Sequence, residues 1–146
     1  MGSYSYAVWI AAPPERVYDL CTDLDRVAEW QEGHPRIIDR SGEQSRGGST
    51  YTTRRGPSAA RSEVIVAERP TKHVVETHGA LGLRAVISSR FVPEDLGTRM
   101  TVALDARWGR PMVGRVLEKA IFAPRTAKRE LAKLKEIAER EHRAAR

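Results

Sequence analysis

The sequence predicts an α+β fold in which one curved antiparallel sheet of seven strands wraps around a long C-terminal helix. Two short helices follow the first strand. Three observations predict it. Val113, Leu117, Ala120, Pro124, Ala127, Leu131, Leu134 and Ala138 recur at alternating gaps of four and three, which draws an apolar stripe down one helix. Upstream of that stripe, strand-like runs alternate with turn residues almost without interruption. Between the first run and the rest, a proline pair opens a short helical insert.

Taken in order, Tyr4 to Ile10 alternates as a strand does, with Tyr4, Tyr6, Val8 and Ile10 on one side. Ala11-Ala12-Pro13-Pro14 ends it and opens a helix over Glu15 to Cys21, whose apolar side is Val17, Leu20 and Cys21. A second short helix is predicted over Asp25 to Trp30, broken by Gly33 and Pro35. Six strands follow near 36–43, 48–55, 60–68, 72–78, 83–92 and 98–108, separated by Gly, Pro, Ser and Asp turns. Pro111 suits the first turn of the long helix, and Pro124 within it predicts a kink, because it removes the bond to the Ala120 carbonyl. The stripe is widened by Val116, Ile121 and Ile137.

Composition sets the limits. The 146 residues make one domain, 1–146, with room for a core. No apolar run reaches the length of a membrane span, and no basic-then-apolar export segment opens the chain. The single cysteine, Cys21, excludes an internal disulfide and fits a reducing compartment, so a cytoplasmic location is expected. It reads as a core residue rather than a reactive thiol. Residues 111–146 carry ten Lys/Arg and five Asp/Glu, nearly all of the net +6. A basic helix can meet nucleic acid or an anionic membrane. Here Glu118, Glu130, Glu136, Glu139 and Glu141 are interleaved with the bases, which reads as a solvated face with side-chain pairs. No specific nucleic-acid partner is expected.

The segments VWIAAPPERVYDLCTDLDRVAEW, FVPEDLGTRMTVAL and LAKLKEIAE, with the element order above, resemble the polyketide cyclase/dehydrase and lipid-transfer superfamily. It is also called START-like, SRPBCC or Bet v 1-like. The resemblance spans nearly the whole chain. It implies a helix-grip fold, with a cavity between the sheet and the C-terminal helix. It also implies binding of hydrophobic small molecules, with cyclisation or dehydration of polyketide chains in some members and carriage of lipids, quinones or hormones in others. The superfamily shares no set of catalytic residues, so the resemblance transfers none.

Strand pairing predicts which residues face the helix, because directly opposed partners share a face. A hairpin pairing Gly56 with Ala59 puts Tyr51 opposite Val64 and Thr53 opposite Ser62. The next turns put Val66 opposite His73, Ser62 opposite Thr77, and Val75 opposite Ala85. The last hairpin puts Ser89 opposite Val102, Ala85 opposite Ala106, and Leu83 opposite Trp108. The other face collects Arg61, Glu63, Lys72, Glu76, His78, Arg84, Arg90, Arg99, Asp105 and Arg107. The inner face then carries a hydroxyl row, Thr53, Ser62 and Thr77, and two small residues, Ala85 and Ala106. Adjacent hydroxyls in a core need partners, either neighbouring backbone or a ligand.

The expected site is therefore a pocket for a hydrophobic, partly oxygenated molecule. Tyr51 and His73 are the candidate catalytic groups. Thr53, Arg55, Ser62, Thr77, Ala85, Ser89, Ala106 and Trp108 line it from the sheet, Trp30 at the end of the second short helix is a further ligand-binding candidate, and Val116, Ala120 and Pro124 close it from the long helix. His73, desolvated and neutral, reads as a general base or as a structural histidine. Arg55 reads as a holder of a carboxylate or enolate, or as a strand-end residue reaching water. His34 lies in the loop after Trp30, where this architecture has its cavity mouth. His73 and His78 fall on opposite faces, and no phosphate loop, serine elbow or Cys/His cluster occurs, so neither cofactor nor metal is expected. Two function classes stand: a polyketide cyclase or dehydratase, and a non-catalytic carrier or chaperone-like binder. A protein-interaction module built on the basic helix is a third. The oligomeric state, monomer or homodimer, is left open.

Overall fold

The computed structural model describes residues 2–43, 46–109 and 124–146. Strand β1 (Gly2–Ile10) leads through Pro13, in extended conformation, into helix α1 (Pro14–Thr22), where a proline at the first turn loses no hydrogen bond. Helix α2 is a single turn, Val27–Trp30, and so starts later than the spacing predicts. The strands β2 (Arg36–Ser41), β3 (Thr50–Arg55), β4 (Ser58–Glu68), β5 (Lys72–His78), β6 (Arg84–Glu94) and β7 (Gly97–Arg107) follow, and helix α3 (Pro124–Ala144) closes the chain. They form one antiparallel sheet in the order β1-β7-β6-β5-β4-β3-β2. This is the α+β, helix-grip arrangement expected.

The inner and outer faces are as predicted except at Val66, and three registers differ. At the β3–β4 hairpin the loop is Gly56-Pro57, with Arg55 opposite Ser58. Gly56 takes a φ of +57° at the first loop position, where a tight hairpin turn asks for glycine, and proline fills the second. Tyr51 therefore lies opposite Ser62, and Thr53 opposite Ala60. At the β5–β6 connection the loop runs from Gly79 to Leu83, closed by the Gly79 amide donating to the Leu83 carbonyl at 3.0 Å. That pairs Thr77 with Ala85 and Val75 with Ile87. Each slip is of two residues, so every side chain keeps its face. A bulge between Val64 and Val66 then puts Ala67 opposite His73 and turns Val66 to the side of Val74. The β6–β7 register is as predicted, from Phe91 opposite Met100 to Ala85 opposite Ala106.

The core lies at one end of the concave face. Ile10 and Ala12 from β1 and its exit, Val17, Tyr18 and Leu20 from α1, Phe91 and Met100 from the sheet, and Leu131, Leu134, Ile137 and Ala138 from α3 are buried together. Burying each of the larger ones contributes roughly 1.5–3 kcal/mol. The second half of the predicted stripe is thus the helix face that grips the sheet. Val113, Val116, Leu117 and Ala120 lie outside the described residues, and so do the residues on which a kink at Pro124 depends.

Polar contacts fix α3 against the end of β1. Lys135 donates to the Trp9 carbonyl at 2.8 Å and to Glu139 at 2.9 Å, and its ammonium sits 5.2 Å from the Trp9 ring centre. The Ala11 amide donates to Glu139 at 2.8 Å. Along α3, Lys133 pairs with Glu136, and Arg129 reaches across to Glu32. On the outer side of this helix, Arg129, Lys133, Lys135 and Arg140 are each in an ion pair with a glutamate.

Candidate functional site

Across the concave face, opposed residues line up in rows. The row nearest the packed end holds Val8, Met100 and Phe91; the next holds Tyr6, Val102, Ser89, His73 and Ala67. Tyr4, Leu104, Ile87, Val75 and Val64 form the middle row. The far row is Ala106, Ala85, Thr77, Ser62 and Tyr51. In the far row two alanines and three hydroxyl-bearing side chains stand side by side.

The far row unites residues that the predicted pairing splits between two rows. Thr53 leaves the hydroxyl group, since Ala60 and Ile37 flank it, and Tyr51 takes its place. Ser62 is buried and shares a 2.8 Å hydrogen bond with Thr77. The Tyr51 phenol faces Ser62, and burial raises its pKa above the usual tyrosine value, with the Ser62 hydrogen bond offsetting part of that. Ala85 and Ala106 are buried beside them.

The next polar group lies toward the packed end. His73 is buried between Ala67 and Ser89, and its Nε2 has no hydrogen-bond partner among the described residues. Desolvation lowers its pKa to about 4, so the imidazole is neutral at physiological pH. Tyr18, from α1, meets the His73 ring edge-on at 6.0 Å between centres, and its hydroxyl is also buried without a partner among the described residues. Cys21 faces Ser89; burial pushes its thiol up to about 12, so it stays protonated and unreactive, as a core residue should. Sequence reasoning missed Tyr18. Its signal was the spacing of three from Cys21, which puts both on one side of α1.

The remaining predicted residues sit at the periphery. Trp30 ends α2 against the core, and Trp108 follows β7; the indole N–H of each is buried and unpartnered among the described residues. Arg55 does not point into the site. It is exposed, donating to the Gln31 side chain at 2.6 Å and to the Glu32 carbonyl at 3.3 Å. These contacts tie the end of β3 to the loop after α2. Glu130 of α3 accepts from the Glu32 amide at 2.8 Å, and burial raises its carboxyl pKa. A hollow of about 450 Å³ opens beside this latch, lined by Trp30, Glu32, Arg129 and Lys133 among others. It is a surface feature, separate from the concave rows. Val116 and Ala120, expected to close the site from the helix, lie outside the described residues; Pro124 is the first residue of α3. Among the described residues no group of His, Cys, Asp and Glu is arranged to hold a metal, and no helix is long and apolar enough to cross a membrane.

Solved structures of the same fold are numerous, at low identity. A protein from Mesorhizobium loti is 17% identical, with a TM-score of 0.75 over 95% of this chain and 98% of its own. The Aha1 dimer from Colwellia psychrerythraea is 19% identical, with a TM-score of 0.65 over 95% and 97%. DynU16, from the dynemicin biosynthetic locus, is 19% identical with a TM-score of 0.69; the match covers 94% of this chain and 47% of that one. No curated protein matches the sequence. The family model described as polyketide cyclase / dehydrase and lipid transport matches residues 1–139, and the chain belongs to that family.

Proposed function

We propose that this protein binds a hydrophobic, partly oxygenated small molecule between the concave sheet and the C-terminal helix. The observation that supports it is the far row: Tyr51, Ser62 and Thr77 form a continuous strip of hydroxyls next to the alanines 85 and 106. Small side chains leave room, and hydroxyls hold oxygen atoms in that room. Membership of a family of cyclases, dehydrases and lipid transporters agrees with it.

Carriage without chemistry fits the titration of His73 better than general-base catalysis does. A base works best when its pKa lies near the operating pH, and burial holds His73 at about 4. If turnover occurs, its main source is the folding of a bound chain into a reactive conformer. In that event His73→Ala lowers the rate by less than the roughly 100-fold typical of a lost base.

Titration with 2-acetylanthracene, an apolar three-ring ketone, tests the binding site. Amide chemical-shift changes are expected on β5, β6 and β7 around Thr77, Ala85 and Ala106. Changes confined to the hollow between α2 and α3, or no saturable binding, overturn the reading.

A further inference from the structure

We propose that Tyr18 and His73 form a second polar pole of this site, one that takes an uncharged oxygen function, a ketone or a hydroxyl, and rejects a carboxylate. The inference rests on the binding reading above and narrows its ligand class.

Tyr18 is 2% exposed and His73 9%, yet neither the phenol oxygen nor Nε2 has a hydrogen-bond partner among the described residues. A buried polar atom left unpaired is destabilising, and here two occur on rings that pack in a T-shape, nearly perpendicular, at 6.0 Å between centres. They come from different elements, α1 and β5, so two independent parts of the fold deliver unsatisfied groups to one place. A tyrosine hydroxyl donates or accepts, and Nε2 does either according to tautomer. A ligand oxygen that is uncharged satisfies both.

The charge around this pole points the same way. The groups that bear on Tyr18 are Cys21, Asp19, Arg69 and Glu68. Arg69, the cation among them, is an exposed side chain already bound to both carboxylate oxygens of Asp19, at 2.7 and 2.9 Å. None of these described groups is a free cation that could neutralise a buried carboxylate or phosphate, and burying such an ion unpaired is far costlier than burying a ketone. Burial also keeps His73 itself uncharged at neutral pH.

The two poles lie apart along β5. His73 and Thr77 both face inward, four residues apart, which is about 13 Å of strand. Val75 stands between them, with Val64 and Ile87 beside it. The ligand that fits is an elongated apolar body with oxygen functions near both ends.

Three probes on one skeleton separate the possibilities: 2-acetylanthracene, anthracene and anthracene-2-carboxylate, titrated at neutral pH by probe fluorescence. The ketone is expected to bind about three- to tenfold more tightly than anthracene, the range of one neutral hydrogen bond, and the carboxylate at least tenfold more weakly than the ketone. Tyr18→Phe and His73→Phe should each reduce the preference for the ketone over anthracene while binding of anthracene persists. Melting temperatures should hold or rise in both variants, since each removes an unpaired group. Equal affinity for ketone and hydrocarbon, a carboxylate that binds as tightly as the ketone, or a preference unchanged in both variants overturns this pole and leaves the cavity reading standing. Failure of all three probes to bind overturns the cavity reading, and this inference falls with it. Should His73→Phe not fold, Tyr18→Phe, which deletes one oxygen, decides the question alone.

Discussion

Burial changes what single residues do. Ser62 and Thr77 satisfy each other through a 2.8 Å hydrogen bond on the concave face. Ser62→Ala should therefore destabilise by about 0.5–1.5 kcal/mol, the net worth of one hydrogen bond, because the half-buried Thr77 hydroxyl loses its partner. The double replacement Ser62→Ala with Thr77→Val should cost less than the sum of the singles, and urea unfolding of the four proteins measures the difference. His73 has its own signature. Its folded pKa is about 4 against an ordinary value of 6.5, so between those values the unfolded chain binds more protons. Its contribution to stability is complete above pH 6.5 and is lost as pH falls toward 4, by about 3 kcal/mol at most. His73→Phe should flatten that part of the stability profile, and an unchanged slope between pH 6.5 and 4 refutes the assignment.

Elements were more legible than their joints. Period-two alternation named the strands, and the charged outer residues fixed the faces, because a slip of one inverts a strand. Slips of two leave that pattern intact, so no hydropathy argument exposes them. The loop at Gly56-Pro57 and the longer connection at Gly79 to Leu83 each shifted a register by two. As a result Tyr51 and Thr53 exchanged places in the proposed site. Tyr18 escaped because its ring reads as core, and only its stranded hydroxyl marks it as something more. One position shows how tightly a joint is specified. A Cβ added at Gly97 would lie 2.4 Å from the Ile10 carbonyl and 2.8 Å from the Trp9 ring. Both neighbours are held: Trp9 donates to the Glu94 carbonyl at 2.8 Å, and the Ile10 carbonyl accepts from the Ala12 amide at 2.9 Å. Gly97→Ala should cost at least the roughly 1–3 kcal/mol of ordinary overpacking, read as a lowered melting temperature. A neutral effect would mean that the β1–β7 joint yields more easily than these contacts imply.

At the scale of the whole molecule, the main core cluster closes one end of the sheet, the proposed hydroxyl strip lies at the other, and the Tyr18–His73 pole borders the core. Phe91, Met100, Ile10, Leu134 and Ile137 close the packed end, while the far row is built from alanines and hydroxyls. None of Val64, Val75, Ala85 or Ala106, though buried, belongs to the main core cluster. Ala106→Trp puts the largest side chain into the far row and tests that division. In a filled interior the added bulk would cost about 1–3 kcal/mol or more, with a lowered melting temperature. In a ligand space the ring has somewhere to go, so the fold should survive nearly unchanged while saturable binding of 2-acetylanthracene is lost. The matching substitution at the packed end, Ala138→Trp, should behave in the opposite way. Ala138 is fully buried among the core residues, and enlarging it should unfold or strongly destabilise the chain. If the two variants lose stability equally, the far row is core like the rest, and the proposed site does not exist.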